Sequence, residues 1–439
     1  MKVGVVEVLI ISQYWLPENG VPQRRWAWLS ELLKQQGHSV SVIAPPPQSD
    51  RKIDFSVWRR ERKWRAQGEW ERGASGERIA RSGFFPAGRS LTVRAINQAF
   101  VALAEVAVFA RWGGVLKRYR PEVVIGTVPA LPTSVVAWLA AKKFSVPYVI
   151  DLRDAWPDLL HQSESWNVSV GKVSLREKIL SKGPLQAVSW ITKRVLNRVL
   201  RDSAAIIATS SELADDLRTR EELRKSGQIP PIFTIRNVFP VATEFRKSPE
   251  PRDGSAALRV LYAGTIGRAQ DLQNALNAVE ICKRRGVAVE LRLVGAGAAK
   301  DALREQATSL GTAVKFEPRF PAETLDKYYE WADTALVHLA DWEPLSRTVP
   351  SKLYELMETG VHVSAVVKGE AAGIVQKLEV GDVVSPNSPD ELAQLWTELA
   401  AEPSRLEKGP TGREWVIYQR ESLVPQTIRD VLESACSND

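Results

Sequence analysis

The chain has 439 residues, too many for one ordinary hydrophobic core, so two domains are expected. An apolar fraction of 44% and a charged fraction of 25% are those of a globular protein. Two distant cysteines, Cys282 and Cys436, exclude a disulfide framework, lack zinc-ligand spacing and point to a reducing compartment. Charge is unevenly shared: residues 1–240 hold 36 Lys and Arg against 22 Asp and Glu, a net +14, and the remainder is −7. A basic first half suits an anionic surface or ligand.

The start, VEVLIIS, reads as a buried strand with no signal-peptide pattern before it. QYWLPENGVPQ is a loop, RRWAWLSELLKQQG a helix ending at Gly37, and SVSVIAP the next strand. This βαβ unit predicts a parallel sheet covered by helices. Residues 51–94 contain VWRRERKWRAQGEWERG, basic and rich in tryptophan, and read as a long excursion from the sheet. Ala95 to Trp112 is the most apolar stretch. It carries Asn97 and Glu105 and reads as a packed helix, not a membrane span.

PEVVIGTVPA, VPYVIDLRD and AAIIATSS follow as strands ending in small or polar residues, where a parallel sheet presents ligand loops. Residues 241–258 are polar and rich in Pro and charge, as in a linker. Five more strands then alternate with helix patterns: LRVLYAG, VELRLVGAG, AVKFEPR, TALVHLA and VHVSAVV. The end, from about 413 to 439, reads as one or two helices that pack back on the first domain. The fold class is therefore α/β, two Rossmann-like domains (1–240 and 241–412) facing a cleft where a ligand would sit. The histidines His38, His161, His338 and His362 are scattered, so no histidine-rich metal site is expected.

The stretch EPLSRTVPSKLYELMETG, residues 343–360, carries the chemistry. Pro350 suits the first position of a helix and Gly360 the place just past its end. The helix N-terminus offers N–H groups and partial positive charge, and Arg347 and Lys352 add full charges, enough for a pyrophosphate. Ser351 and Glu355 share a face, and Glu355 lies one turn deeper, within reach of both hydroxyls of a ribose. The alternative from spacing alone is a capped surface helix with a solvated Glu355.

SKLYELMETG resembles the SKxxExMxxG signature of the GT-B glycosyltransferases of family 4. The resemblance implies that Glu355 binds the ribose of a donor nucleotide. The family's usual second glutamate is replaced by Arg347, as in a branch with RTxPSK. QYWLPENGVPQRRWAWLSELLKQQGHSVSVIA resembles the first βαβ unit, which implies that Gly20 approaches the donor phosphates; otherwise the loop is a turn. VIDLRDAWPDLL matches a further signature and brings Arg153 and Asp154 to a strand end, either at the cleft or as a structural ion pair. In IRNVFP, Asn237 matches the family's asparagine or ends the domain in a turn.

LYAGTIGRAQDLQNALNAVE matches the opening of the second domain. Gly264 and Gly267 are kept, Arg268 is offset, and Thr265 and Gln270 stand where relatives often carry Arg and Lys. The phosphate charge would then come mainly from Arg347 and Lys352. The resemblance also puts Arg319 and Phe320 at the nucleotide base, and Glu370 and Ala371 near the donor sugar.

The expectation is a glycosyltransferase, hexosyl or N-acetylhexosaminyl in type, moving a sugar from a nucleoside-diphosphate donor to an acceptor hydroxyl. The resemblance implies retention, a UDP-sugar as substrate and no metal or cofactor. Asp154, Arg347 and Lys352 are the candidate catalytic residues. Polysaccharide or glycolipid assembly is the expected setting, with a lipid-linked acceptor in view and no nucleic-acid partner. The expected location is cytoplasmic, with peripheral attachment to the inner membrane face through Trp58, Trp64, Trp70 and the charges around them; the alternative is a solvated excursion whose tryptophans pack on the domain. The alternatives are a non-catalytic nucleotide- or sugar-binding protein on the same fold, and a sugar-nucleotide epimerase. No GxSxG, GxxxxGK[ST] or GxGxxG after the first strand supports a serine hydrolase, P-loop NTPase or dehydrogenase.

Overall fold

The computed structural model describes residues 4–18, 20–86, 91–110, 119–128, 130–156, 158, 184–247 and 257–437. Two compact units emerge. The first takes the described residues through Trp156, with Val188–Phe239 and the residues from Leu423 onward; the second takes Pro240–Ser422 and Asp158.

The first unit is built on an eight-stranded sheet in the order β3-β4-β2-β1-β5-β6-β7-β8. Its strands are β1 (Glu7–Ile11), β2 (Ser39–Ala44), β3 (Trp70–Arg72), β4 (Arg78–Arg81), β5 (Val123–Val128), β6 (Tyr148–Leu152), β7 (Ala205–Ala208) and β8 (Ile232–Thr234). All pairings are parallel except β3 with β4. The central strands are mostly apolar, as expected where helices cover both faces, and Leu9, Ile11, Val124, Ile150 and Ile206 form their core. The helix Val424–Cys436 packs on β5, β7 and β8 of this unit, after a π-helical turn at Gln419–Leu423.

The excursion expected over residues 51–94 needs correction, because the chain returns to the sheet and adds β3 and β4. The sequence RIAR conceals a strand, since its two arginines are satisfied by carboxylates. Arg78 pairs with Glu7 at 2.6 Å, and Arg81 pairs with Glu71 at 2.8 Å. The tryptophans follow the alternative reading and pack on the domain. Trp58 is buried, 5.2 Å from Trp64 and 5.9 Å from Phe100 between ring centroids, in a satellite core with Phe84 and Val101. Trp70 sits against Tyr119 and the guanidinium of Arg78.

The second unit has a six-stranded, wholly parallel sheet in the order β11-β10-β9-β12-β13-β14. The strands are β9 (Leu258–Thr265), β10 (Val289–Ala296), β11 (Val314–Glu317), β12 (Thr334–His338), β13 (His362–Val366) and β14 (Gly381–Val384). β8 and β14 are absent from the sequence reading: both are short edge strands without alternation. Leu258, Leu291, Leu293, Leu336 and Trp396 anchor this second core. Of the expected linker, residues 248–256 lie outside the described residues. The part before them is bound to the second unit, with Phe245 stacked on Tyr329 and the Lys247 N–H donating to Thr359 O at 2.7 Å.

A candidate donor site in the second unit

β9 leads outward to β10 and β11, and β12 leads the other way to β13 and β14. The β9/β12 junction is thus the point where strand order reverses, and open parallel sheets bind ligands outside the strand ends there. The loops after these two strands are tied together, Ala340 N–H donating to Ala269 O at 2.8 Å. Beneath them His338 ends β12 fully buried, its Nε2 3.0 Å from Asn274 Nδ2. Burial pushes its pKa down to about 3, so it is a neutral structural imidazole. The ends of β9 and β10 approach closely: a Cβ on Gly297 would lie 1.9 Å from Ile266 O.

Gly264 and Thr265 end β9 and are exposed, and Gly267 precedes a single 3-10 turn, Arg268–Gln270. Arg268 is half-buried beside the switch point, and its buried Nε has no hydrogen-bond partner among the described residues. Arg319 and Phe320 follow β11. Arg319 is exposed, and the Phe320 ring stacks on Tyr328 with centroids 5.6 Å apart. Glu370 and Ala371 open the helix Glu370–Lys377 after β13. Gly369 caps that helix at φ +64°, a conformation that favours glycine. Ala371 is fully buried, so only its backbone could reach a ligand.

The helix Ser351–Thr359 follows β12. Pro350 is its N-cap at φ −60°, one position earlier than the sequence suggests, and Gly360 ends it in the left-handed conformation. Glu355 is buried and not a solvated surface residue. The Tyr329 hydroxyl donates to its Oε1, and Lys352 Nζ lies 3.0 Å from its Oε2 and 3.2 Å from the Tyr329 oxygen. Tyr329 comes from the helix Asp326–Trp331 and is fully buried. Sequence reading misses it, because nothing local links a tyrosine to a glutamate 26 residues later. Arg347 is buried and already committed to carboxylates, 3.1 Å from Asp158 and 2.8 Å from Glu343. The structure thus gathers Gly264, Arg268, Arg319, Phe320, Arg347, Ser351, Lys352, Glu355, Glu370 and Ala371 on the loops and helix starts that follow the strands of one sheet.

The candidates in the first unit are placed separately. Gly20 is the N-cap of the helix Val21–Gln35, at the switch between β1 and β5. Arg153 and Asp154 follow β6. Burial pushes Arg153 down to about 10 and the Asp154 carboxyl up, and each of the two opposes the other's shift. Arg153 Nε and Nη1 have no hydrogen-bond partner among the described residues. Asn237 accepts from Arg25 Nη1 at 3.1 Å, and Arg25 forms a fully buried 2.8 Å ion pair with Asp151. Sequence reading misses this pair too, and it gives Asn237 a structural partner.

Two family models match in tandem: a glycosyl transferase 4-like domain over residues 20–226 and glycosyl transferases group 1 over residues 244–415. WcaI of Escherichia coli K12, named as a colanic acid biosynthesis glycosyl transferase, is 24% identical over 392 residues, 83% of this chain and 84% of its own. WbjE of Pseudomonas aeruginosa, named as a glycosyltransferase, is 29% identical over 170 residues, 37% of this chain and 41% of its own. Among solved structures, sucrose-phosphate synthase from Thermosynechococcus elongatus matches with a TM-score of 0.69 at 16% identity, covering 99% of this chain and 100% of that one. Anabaena HepE in complex with UDP matches with a TM-score of 0.62 at 15% identity, covering 98% and 100%. At such identities the structures speak for the fold alone. Two parallel α/β units with these strand orders and these two matched domains make the chain a GT-B glycosyltransferase of family 4.

Proposed function

We propose that the protein transfers a glycosyl group, with retention, from a nucleoside-diphosphate sugar to an acceptor hydroxyl in the assembly of a cell-surface polysaccharide or glycolipid. The observation that carries the reading is a buried Glu355, held by Tyr329 and Lys352, one turn inside a helix that starts beside the sheet's switch point. A buried carboxylate so placed is suited to accept both hydroxyls of a ribose, while the helix N-terminus, Lys352 and Arg268 meet the diphosphate.

In the transfer, the bond from the anomeric carbon to the diphosphate oxygen breaks and its electron pair leaves with the phosphate. A bond from the acceptor oxygen to that carbon forms, and the acceptor proton passes to the departing phosphate oxygen. Cations and helix dipoles stabilise the developing charge, which leaves no step that calls for a metal or other cofactor. Arg347, Ser351, Glu370 and the backbone of Ala371 are proposed at the donor, Gly20 at the donor phosphates, Arg319 and Phe320 at the base, and Asp154 at the donor sugar or the acceptor hydroxyl. A UDP-sugar is favoured because HepE is a fold neighbour in complex with UDP and with UDP-glucose. The setting is favoured by the likeness to WcaI, named for colanic acid biosynthesis.

A thermal-shift panel of UDP, GDP, ADP and their sugars tests the donor. A ligand at about 100 times its dissociation constant adds about 2.7 kcal/mol of stability. Stabilisation by none of them would overturn the reading. Turnover that needs an acceptor separates a transferase from an epimerase, and binding without turnover favours a non-catalytic protein.

Among the described residues no helix is long and apolar enough to cross a membrane. Peripheral attachment nonetheless has a specific support, in different residues from the tryptophans. Phe55, Ile96 and Leu103 are 56%, 50% and 71% exposed, and the exposed Arg59, Arg60, Arg62, Lys63 and Arg65 follow Phe55 in the chain. Exposed apolar side chains, with basic residues following Phe55, suit an anionic leaflet and a lipid-linked acceptor. Co-sedimentation with anionic liposomes at low salt should occur and should weaken in a Phe55→Ser, Leu103→Ser variant. Protein left in the supernatant overturns this part.

A further inference from the structure

We propose that Tyr329 is a positioning residue for the donor ribose, acting through Glu355. The inference rests on the reading that Glu355 takes the ribose hydroxyls. Without ligand, the Tyr329 hydroxyl donates to Oε1 of the Glu355 carboxylate and the Lys352 ammonium lies 3.0 Å from its Oε2. Their anchorage differs. Lys352 is a partly exposed, flexible cation on the first turn of the helix, beside the N–H groups that suit a diphosphate, and its Nζ is free to turn to a stronger anion. Tyr329 cannot turn away. Its ring is fully buried and stacks on Phe245, with centroids 6.3 Å apart, and its oxygen reaches Glu355 from a different helix. When the donor diphosphate draws Lys352 off, Tyr329 remains on Oε1. The carboxylate then stays in place for the ribose.

The test compares a nucleoside diphosphate with its 2′,3′-dideoxy analogue, for each variant as a full chain. Wild-type protein should prefer the ribose form, and Glu355→Ala should abolish the preference. Tyr329→Phe keeps the ring and its stack. It should lose on the order of tenfold in affinity for the ribose form and little for the dideoxy form, as expected of a hydrogen bond that orients a charged acceptor. A tyrosine that only supports the fold would weaken both ligands alike or lower only the melting temperature, and either result overturns the proposal. If Glu355→Ala leaves the preference intact, the ribose reading itself has failed. If Glu355→Ala abolishes it and Tyr329→Phe does not, the reading stands and the role of Tyr329 fails. Should Tyr329→Phe not fold, the change is made in the Glu355→Ala background. With no carboxylate to orient, it should cost no further affinity there, and a further loss overturns the proposal.

Discussion

Lys352 Nζ lies 3.0 Å from Glu355 Oε2, three residues apart on one helix, so the cation and carboxylate assigned to different parts of the donor neutralise each other in the free protein. The pair stores the ribose ligand and the phosphate ligand together, and a nucleoside diphosphate has to part them. Only the differential strength of Lys352 for phosphate over carboxylate then contributes to binding. Lys352→Ala is therefore expected to weaken nucleoside diphosphate by roughly tenfold, less than the loss of an uncommitted phosphate contact would cost. Nucleoside affinity should change far less. Titration of both ligands checks this, and equal losses would remove Lys352 from the phosphate.

Arg268 offers the contrast. It is half-buried beside the β9/β12 switch point, and its Nε has no hydrogen-bond partner among the described residues. Arg347, by comparison, already holds Asp158 and Glu343. Arg268→Ala should cost more diphosphate affinity than Arg347→Ala, by ten- to a hundredfold against a smaller loss, on the scale of about 1.5–3 kcal/mol for a charged hydrogen bond. The same titration decides, and a larger loss in Arg347→Ala would reverse the assignment of the main phosphate cation.

Much of this site was legible before any coordinates. Pro350 and Gly360 bracket the donor helix, and the alternation of apolar runs with helix patterns locates β9 to β13. Helix periodicity also puts Ser351 and Glu355 on one face. The partners of the charges were not legible. Glu355 meets Tyr329 at a separation of 26 residues, and Arg25 meets Asp151 at 126, distances over which sequence spacing carries no geometric meaning. Short strands were lost for another reason. β4 is only four residues long and begins and ends in arginine, so its two apolar residues give no alternation to count. The tryptophans of residues 58–70 stand among solvated basic neighbours, so the sequence left both packing and membrane contact open for them.

Arg25 and Asp151 are both fully buried, and each has other partners: Trp26 Nε1 donates to Asp151 at 2.7 Å and Ile235 O accepts from Arg25 at 2.8 Å. Removing one charge leaves the other buried without its counter-ion. Arg25→Ala and Asp151→Ala are each expected to destabilise by about 3–5 kcal/mol. The double variant should lose less than the sum of the two, with a coupling of about 0.5–3 kcal/mol. Denaturant midpoints of the three variants measure it, and strict additivity would show that the pair does not act as a unit.

The last expectation concerns acid stability in the second unit. His362 Nε2 lies 2.9 Å from Asp382 Oδ2, its Nδ1 is 2.8 Å from Thr334 Oγ1, and Thr334 continues to Ser364 Oγ at 2.8 Å. Arg405 holds the other Asp382 oxygen at 2.9 Å, and Lys408 lies near enough to act on His362 electrostatically. The hydrogen bond from His362, with Arg405, pulls Asp382 from 3.8 down to about 2. Burial lowers His362 below its ordinary 6.5, although Asp382 opposes the shift. Both depressions have the same sign. Below pH 6.5 the unfolded histidine takes a proton that the folded one refuses, and between about pH 4 and pH 2 the unfolded aspartate does likewise. The unfolded state thus binds more protons, and stability falls as pH falls through both windows. Asp382→Asn should cost about 2 kcal/mol at neutral pH and almost nothing at pH 2, so the two stability curves converge in acid. Urea midpoints measured from pH 7 to pH 2 follow this directly. Parallel curves across that range would mean that the Asp382 carboxylate is not held by His362 and Arg405 in solution.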